Sequence, residues 1–221
     1  MESSLLTQEE FDTHVANHTL RLSFIGMSNC GKSYHSRALQ REHDFLWYQV
    51  DSDIQKSLGM NGQDALAAWL GYPSSEGYAG REKRYLELED EFTGHAAMSS
   101  HGKNLVFDTT GSVVHLAPGT LRALSDNTLI VHFDVGNDAP ETLLQRFFKD
   151  PKPVAWDHFF TQQEGESAED ALRRSYPGLL AERLKRYRAL AHLNINASEL
   201  RDKNGAETLA LIRGKLGAGM V

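Results

Sequence analysis

The chain has 221 residues, 40% of them hydrophobic and 24% charged, with a formal net charge of -7 at pH 7. This size and composition suit one domain, or one domain with an insertion. The negative charge argues against general binding of nucleic acid or of an anionic membrane surface. The single cysteine excludes an intramolecular disulfide. With no apolar run of about 20 residues and a polar N-terminus, the sequence predicts a soluble cytoplasmic protein.

The first 19 residues are polar, and we interpret them as an N-terminal extension of one domain that spans residues 20–221. Thr7 and Glu10 have the spacing of a capping box, which predicts a short helix after Thr7. The apolar run at residues 20–25 predicts the first strand, and the pattern at residues 33–42 predicts a helix.

Four more apolar segments predict strands, and helical patterns alternate with them. The predicted strands are 45–50, 105–107, 129–133 and 193–195. The predicted helices are 64–70, 81–99, 142–148, 177–192 and 206–216. This alternation predicts an α/β domain with a parallel five-stranded sheet flanked by helices.

Residues 149–176 interrupt this alternation. Pro151 and Pro153 disfavour helix in the residues that precede them. Aromatic and then acidic residues follow. We interpret the segment as a mobile lid over the site, with a surface insertion of no special role as the alternative.

A phosphate-binding motif follows the first predicted strand directly. Residues 26–33 read G-M-S-N-C-G-K-S and match G-x-x-x-x-G-K-[ST]. Gly26 permits a sharp exit from the strand, and Gly31 lets the backbone approach the phosphates. Lys32 is expected to reach the β- and γ-phosphates, and Ser33 to hold Mg²⁺. The motif therefore predicts a site for a nucleoside triphosphate, which we take to be ATP with Mg²⁺.

The same loop supplies further nucleotide contacts. The N–H groups from Asn29 to Ser33 lie at a helix N-terminus and point at the anion, and Tyr34 follows in the predicted nucleotide site. Cys30 occupies a permissive loop position. Because a helix N-terminus can lower a thiol pKa, a redox or catalytic role for Cys30 is the less favoured alternative to simple contact with the nucleotide.

Carboxylates follow two of the predicted strands. Asp51 and Asp53 come after the second strand, where one can serve Mg²⁺ and the other a substrate hydroxyl. The alternative is a helix N-cap with a solvated neighbour. Asp108 ends the third strand and is a candidate to position Mg²⁺, with structural capping as its alternative.

These motifs occur in an order that resembles the shikimate kinase family, over roughly residues 20–217. The family has Asp-x-Asp after its second strand, an Arg three residues before a Glu, a Thr-Gly-Gly-Gly turn, and an Arg four residues before a Tyr. The matching residues here are Asp51 and Asp53, Arg84 and Glu87, the turn at residues 109–112, and Arg183 with Tyr187 and Ala191.

The resemblance implies an ATP-dependent small-molecule kinase with the nucleoside-monophosphate-kinase-like fold. Asp53 would bind the acceptor hydroxyl and help to take its proton, and Asp51 would act on the magnesium side. Arg84 and Arg183 would grip an anionic group of the acceptor. Gly111 would offer an N–H near the γ-phosphate or the substrate.

Two further positions follow from the same resemblance. Arg146 would lie against the adenine, and Lys152 would stand where the family carries a lid arginine that closes on the phosphates. We expect Lys32, Asp53 and Lys152 to be the catalytic residues. We expect the protein to be a monomer or weak dimer that binds neither nucleic acid nor a membrane.

The sequence also departs from the family. Thr110 and Ser112 bring two side chains into the glycine turn, and Lys152 lacks the planar fork of arginine. The acceptor is therefore left open between a shikimate-like acid, a sugar acid, a nucleoside and a nucleotide. An ATP-binding regulatory protein without transfer activity is the alternative from another class. Six aromatic residues between Asp53 and residue 160 either line the pocket or pack as core: Trp69, Tyr72, Tyr78, Trp156, Phe159 and Phe160.

Overall fold

A computed structural model describes residues 6–98, 102–137, 143, 145, 149 and 152–217 of the chain. A sheet of five strands lies at its centre, in the order β2-β3-β1-β4-β5, and every described pairing is parallel. The strands are β1 (Arg21–Ile25), β2 (Leu46–Gln49), β3 (Leu105–Asp108), β4 (Leu129–Asp134) and β5 (Leu193–Asn196). The predicted α/β class with a parallel five-stranded sheet is confirmed.

Helices cover both faces of this sheet. The described helices are α1 (Gln8–Ala16), α2 (Lys32–His43), α3 (Val50–Ser57), α4 (Gln63–Leu70), α5 (Tyr78–Met98), α6 (Pro118–Asn127), α7 (Ala168–Leu190), α8 (Ala197–Leu200) and α9 (Gly205–Gly217). Short 3₁₀ turns occur at Val113–His115 and Asp157–Phe159. In the part of the chain that the structure describes, no helix has both the length and the apolar character needed to cross a membrane.

Alternating side chains of the strands feed two apolar clusters, one on each face of the sheet. Leu22 and Phe24 of β1 belong to the cluster beneath α1, α2 and α9. Ile25 of β1 and Ile130 of β4 belong to the opposite cluster, which contains residues of α3 to α7. Since both faces are buried at the centre of the sheet, β1, β3 and β4 read as nearly continuous apolar runs, and this made them visible in the sequence.

Helix α1 is part of the domain core, although the sequence suggested a polar extension. The capping box is present, with the Glu10 N–H donating to the Thr7 hydroxyl and the Thr7 N–H donating to the Glu10 carboxylate. Phe11 is only 2% exposed and lies in the same cluster as Leu20 and Leu216. One buried aromatic side chain therefore anchors the helix.

Helix α7 begins nine residues before the predicted start at Pro177. Ser167 is its N-cap, accepting a hydrogen bond from the N–H of Asp170 at 3.1 Å. Pro177 lies inside the helix, where it removes one backbone bond at a cost of about 3 kcal/mol. The extra turns bury Leu172 and Tyr176, and this burial offsets the cost.

Two other helices differ from the sequence prediction. The second strand ends at Gln49, and Val50 already begins α3, so Asp51 and Asp53 lie in the first turn of a helix. Helix α6 was not predicted, because Leu124 is its single fully buried residue and its apolar periodicity is weak. The helix predicted at residues 142–148 falls largely outside the described residues.

Part of the segment predicted as a lid is packed against α5. Val154, Ala155 and Trp156 are buried, and Trp156 is only 1% exposed. The Glu82 carboxylate accepts hydrogen bonds from the N–H of Trp156 at 2.5 Å and of Asp157 at 3.0 Å. The Tyr78 hydroxyl donates to the same carboxylate at 2.6 Å. The residues after Pro153 are thus attached to the domain.

The aromatic residues that the sequence left open between pocket and core pack as core. Tyr78 and Trp156 are buried members of the cluster that contains α3 to α7. The other four are partly buried and pack against that cluster: Trp69, Tyr72, Phe159 and Phe160.

Candidate active site

The loop between β1 and α2 has the backbone conformation that its glycines predict. Gly26 and Gly31 have φ of +139° and +106°. A Cβ on Gly26 would lie 3.0 Å from the carbonyl oxygen of Phe133 and 3.1 Å from the Cys30 sulfur. Gly31 is the N-cap of α2 and has no side-chain cap, so the first N–H groups of the helix face the loop. These groups can bind an anion.

The ammonium group of Lys32 lies within the same loop. Lys32 is 7% exposed, and its Nζ donates to the carbonyl oxygens of Gly26 at 2.8 Å and Met27 at 3.0 Å. The charge of Lys32 also lowers the pKa of the Asp51 and Asp108 carboxyls against the opposing effect of burial. A buried cation thus stands between the loop and two carboxylates.

A pocket of about 260 Å³ opens beside the loop. Seven of the predicted site residues line it, namely Asn29, Lys32, Ser33, Asp51, Asp108, Gly111 and Lys152, and Gly111 is the one of the four predicted acceptor-binding residues among them. Its lining residues are Ser28, Asn29, Lys32, Ser33, Asp51, Gln63, Tyr85, Asp108, Thr109, Thr110, Gly111, Lys152 and Pro153.

Asp108 and Asp51 reach this pocket from different elements. Asp108 is the last residue of β3, and burial raises the pKa of its carboxyl while Lys32 and the Ser33 hydroxyl lower it. Burial likewise raises the pKa of Asp51. The Gln63 amide donates to Asp51 at 2.9 Å and the Tyr85 hydroxyl at 3.4 Å. Both carboxylates are therefore oriented by neighbouring groups.

The donor set suits Mg²⁺ and a triphosphate. Mg²⁺ prefers oxygen ligands and usually keeps several waters beside one or two carboxylates and the phosphates. The Ser33 hydroxyl and the carboxylates of Asp108 and Asp51 are such ligands, next to the N–H groups at the start of α2. Among the described residues, no group of three or more His, Cys, Asp or Glu side chains converges on a metal site.

Asp53 is not part of this pocket. It pairs with Lys56 at 2.9 Å on the same helix, and it is absent from the pocket lining, where Asp51 is present. The helix explains the difference, because residues two apart are separated by about 200° around an axis with 3.6 residues per turn. The sequence had placed both carboxylates at a strand end.

The predicted anion-binding arginines are also separated. Arg84 lies on α5 with a side chain that is 51% exposed, 3.7 Å from Glu87, and does not line the pocket. Its surroundings match an exposed helix arginine paired with an acid. Arg146 lies outside the described residues.

Arg183 of α7 is buried, at 4% exposure, beside the turn that lines the pocket. It donates to the carbonyl oxygen of Ala155 at 2.6 Å and to His115 Nε2 at 3.2 Å. Burial and the charge of Arg183 lower the pKa of His115 to about 4, so the ring is a neutral acceptor. A Cβ on Gly111 would lie 3.6 Å from an Arg183 guanidinium nitrogen. Arg183 is thus held rigidly next to Gly111.

A second pocket of about 630 Å³ lies on the other side of the loop. Asn29, Cys30, Gly31 and Tyr34 line it together with residues 196–198 and 201–202 after β5. Tyr34 is 58% exposed. Burial raises the pKa of the Cys30 thiol, which disfavours the thiolate that a redox or catalytic role needs.

Several residues of the site had no role in the sequence prediction. Gln63 and Tyr85 line the pocket and bind Asp51. Glu89 is fully buried behind the turn at residues 110–112, where it accepts hydrogen bonds from two hydroxyls. Burial raises the pKa of Glu89 to about 7. A glutamate at a core position of a predicted helix was the available signal for Glu89.

The chain resembles solved structures, but the comparisons of its sequence found no match. No protein-family model matches the chain, and no curated protein matches it in sequence. A shikimate kinase from Acinetobacter baumannii in complex with shikimate matches with a TM-score of 0.59 and 20% identity, over 93% of this chain and 98% of that one. The shikimate kinase from Bacteroides thetaiotaomicron matches at 0.58 and 18%, over 90% and 98%. The Aquifex aeolicus shikimate kinase matches at 0.55 and 19%, over 91% and 99%.

These matches establish the fold. The chain has the P-loop kinase fold of shikimate kinases over most of its length, as the order of the sequence motifs indicated. At 18–20% identity the likeness does not extend to the acceptor.

Proposed function

We propose that this chain is an ATP-dependent kinase that transfers a phosphoryl group to a hydroxyl of a small acceptor. The observation that supports this most strongly is the composition of the pocket beside the loop. There a phosphate-binding loop with Lys32 and Ser33 faces two oriented carboxylates, Asp51 and Asp108. A fold shared with solved shikimate kinases agrees with this proposal.

The donor half of the site binds the triphosphate. The N–H groups from Asn29 to Ser33 hold phosphate oxygens, and the Lys32 ammonium exchanges its contacts with Gly26 and Met27 for the β- and γ-phosphates. The adenine occupies the pocket beside Tyr34 and Cys30. Arg146, which lies outside the described residues, stays a proposed contact to the adenine.

Ser33 and Asp108 would hold Mg²⁺, which neutralises the charge on the phosphate oxygens when it is bound. The Ser33 hydroxyl already contacts Asp108, so both ligands point to one position. Asp51 lines the same pocket, and its charge raises the pKa of Asp108. Most of the rate enhancement then comes from positioning and electrostatics.

Asp51 takes the role that the family resemblance implied for Asp53. Its carboxylate lines the pocket, where it can accept a hydrogen bond from the acceptor hydroxyl and help to take its proton. Burial raises the pKa of Asp51, and this makes the carboxylate a stronger base than an exposed aspartate. Gln63 and Tyr85 hold it in place.

Two cations support an anionic group on the acceptor. Lys152 is in the pocket wall and can also contact the transferring phosphoryl group. Arg183 is fixed next to Gly111, and a guanidinium there suits a carboxylate. Arg183 does not line the pocket itself, but its guanidinium lies directly behind Gly111, which does. Arg84 is left out of this proposal, because its side chain is 51% exposed and lies beside Glu87.

A coupled assay of ADP release tests the proposal. The purified chain is incubated with ATP and Mg²⁺, with and without each member of a panel of hydroxylated acids, sugar acids and nucleosides. We expect release of ADP to depend on one class of acceptor. Tight binding of ATP without turnover for any acceptor would instead favour an ATP-binding regulatory protein.

A further inference from the structure

The turn at residues 110–112 forms one side of the pocket, and a buried carboxyl group lies directly behind it. Glu89 reaches the turn from α5 and has no exposed surface. Its Oε1 accepts a hydrogen bond from the Thr110 hydroxyl, and its Oε2 accepts one from the Ser112 hydroxyl at 2.5 Å. The Ser112 N–H donates to Thr110 Oγ1 at 3.1 Å. The conformation of the turn thus depends on side chains that glycines would lack.

The three groups make a closed ring that needs three protons. The two hydroxyl oxygens are also 3.1 Å apart, within hydrogen-bond distance of each other. Three contacts require three O–H groups, and the two hydroxyls supply only two. With Glu89 ionised, both hydroxyls donate to the carboxylate and their mutual contact has no proton. With Glu89 as a carboxylic acid, every contact carries one proton.

The surroundings of Glu89 favour the acid form. Burial raises the pKa of Glu89 to about 7, the hydrogen bonds from the turn lower it, and the charge of Asp51 raises it. Arg183 of α7 lowers it. Tyr85 of α5 and Tyr187 of α7 also face Glu89, and their own pKa values are raised, chiefly by burial.

The turn is held from its other side as well. The Tyr187 hydroxyl donates to the Gly111 carbonyl oxygen, and a Cβ on Gly111 would lie 3.3 Å from the Ser28 hydroxyl. Because Tyr187 and Glu89 contact opposite parts of the turn, a loss of Glu89 leaves residues 110 and 112 unsupported while Gly111 stays anchored. The effect on the pocket is therefore local.

We propose that Glu89 is a positioning residue for the acceptor, which as a carboxylic acid closes a ring of hydrogen bonds with Thr110 and Ser112 and so fixes the acceptor side of the pocket. Thr110 and Gly111 line the pocket beside Asp51. A displaced turn misplaces the acceptor and leaves the loop at residues 26–33 intact. The expected effect on the acceptor KM rests on the proposed kinase function, whereas the expected effect on the turn at residues 110–112 does not.

Hydrogen–deuterium exchange tests the structural part without any acceptor. Glu89→Gln retains one donor and one acceptor at the carboxyl position, so we expect exchange in peptides covering residues 109–116 to match the unmodified protein. Glu89→Ala loses its hydrogen bonds with both Thr110 and Ser112, and we expect it to exchange there faster, by on the order of tenfold or more. Peptides covering residues 26–34 should be unchanged in both. Glu91→Gln, at an exposed position of α5, is the matched control.

Kinetics test the functional part with the acceptor that gives the most ADP release in the panel. We expect Glu89→Ala to raise the KM for the acceptor about tenfold with the KM for ATP unchanged, and Glu89→Gln to restore the acceptor KM. For the unmodified protein the acceptor KM should rise above pH 7 as Glu89 loses its proton, and this rise should be absent in Glu89→Gln.

A double-mutant cycle separates the ring from a general packing role. If Glu89 acts through the hydroxyls, Thr110→Val with Ser112→Ala should reproduce the effect of Glu89→Ala, and adding Glu89→Ala should change little more. Additive effects would overturn the proposal, as would unchanged exchange at residues 109–116 in Glu89→Ala. If Glu89→Ala does not fold, loss of the turn's protection in the conservative Glu89→Gln variant would also overturn it.

Discussion

The positions of Asp51 and Asp53 around the axis of α3 decide which of the two side chains faces the pocket. Both are aspartates in the same turn of α3, yet Asp51 lies in the pocket with Gln63 and Tyr85, and Asp53 pairs with Lys56. The sequence prediction treated them as neighbours at a strand end. The helix separates them, so their chemical roles should differ sharply.

The first prediction compares the two isosteric variants. Asp51→Asn removes the carboxylate from the pocket, and we expect kcat/KM for the acceptor to fall on the order of 100-fold or more. Asp53→Asn changes a carboxylate that pairs with Lys56 and contacts the Tyr48 hydroxyl outside the pocket. The ion pair contributes about 1 kcal/mol at most, so kcat/KM should stay within about threefold. Steady-state kinetics with the acceptor measure kcat/KM for both variants. The reverse order of effects would restore the acceptor role to Asp53.

The predicted site residues that lie together around the loop share one property, which is that their motif is contiguous. The loop from Gly26 to Ser33 and the strand end at Asp108 carry their geometry in adjacent residues. Arg84 was misplaced, because its direction depends on the rotation of α5. Gln63 belongs to a helix whose position only the tertiary structure fixes.

At the scale of elements, the sequence predicted the strands better than the helices. All five strands were found within one or two residues. The runs in β1, β3 and β4 are mostly buried and stand out as apolar segments, whereas β5 was visible as an alternation of buried Leu193 and Ile195 with exposed asparagines. Helix α6 and the first turns of α7 were missed. Their stability comes from tertiary packing, which overrides the local signals of weak periodicity and an internal proline.

The second prediction concerns the attachment of the segment after Pro153 to α5. Glu82 accepts hydrogen bonds from the N–H groups of Trp156 and Asp157 and from the Tyr78 hydroxyl. Glu82→Ala removes the acceptor that these three donors share, although the Tyr78 hydroxyl still reaches the Val154 carbonyl oxygen at 3.1 Å and the Trp156 N–H still reaches the Tyr78 hydroxyl at 3.2 Å. Because hydrogen bonds to a charged group are lost, we expect the free energy of unfolding to fall by about 1–3 kcal/mol, measured by urea denaturation.

Lys83→Ala is the control for this change, since the Lys83 side chain is 80% exposed on the same helix. We expect Lys83→Ala to change the midpoint of urea denaturation little. Equal midpoints for Glu82→Ala and the unmodified protein would show that the hydrogen bonds to Glu82 do not stabilise this attachment.

The third prediction concerns the stability of the whole molecule as a function of pH. The pKa of Glu89 is raised from 4.5 to about 7 by burial, so between these pH values the folded state binds more protons than the unfolded state. Stability must therefore fall as pH rises through this window, by at most about 1.4 kcal/mol per pH unit from this group. Below pH 4.5 the term is constant.

Glu89→Gln removes this term and leaves the other buried carboxyls in place. We expect the variant to gain stability relative to the unmodified protein as pH rises from about 5 to 7, by on the order of 3 kcal/mol in total. Urea denaturation at several pH values measures the difference. A difference that does not change with pH would mean that Glu89 is ionised throughout this range.

The proposed function depends on transfer of a phosphoryl group from ATP in the pocket that contains Lys32. The most direct measurement is Mg²⁺-dependent ADP release by Lys32→Ala in the presence of the best acceptor, beside Lys56→Ala, a lysine with a 73% exposed side chain, as control. We predict that Lys32→Ala loses on the order of 100- to 1,000-fold in kcat, with the control unchanged. Turnover by Lys32→Ala equal to that of the unmodified protein would contradict phosphoryl transfer in this pocket.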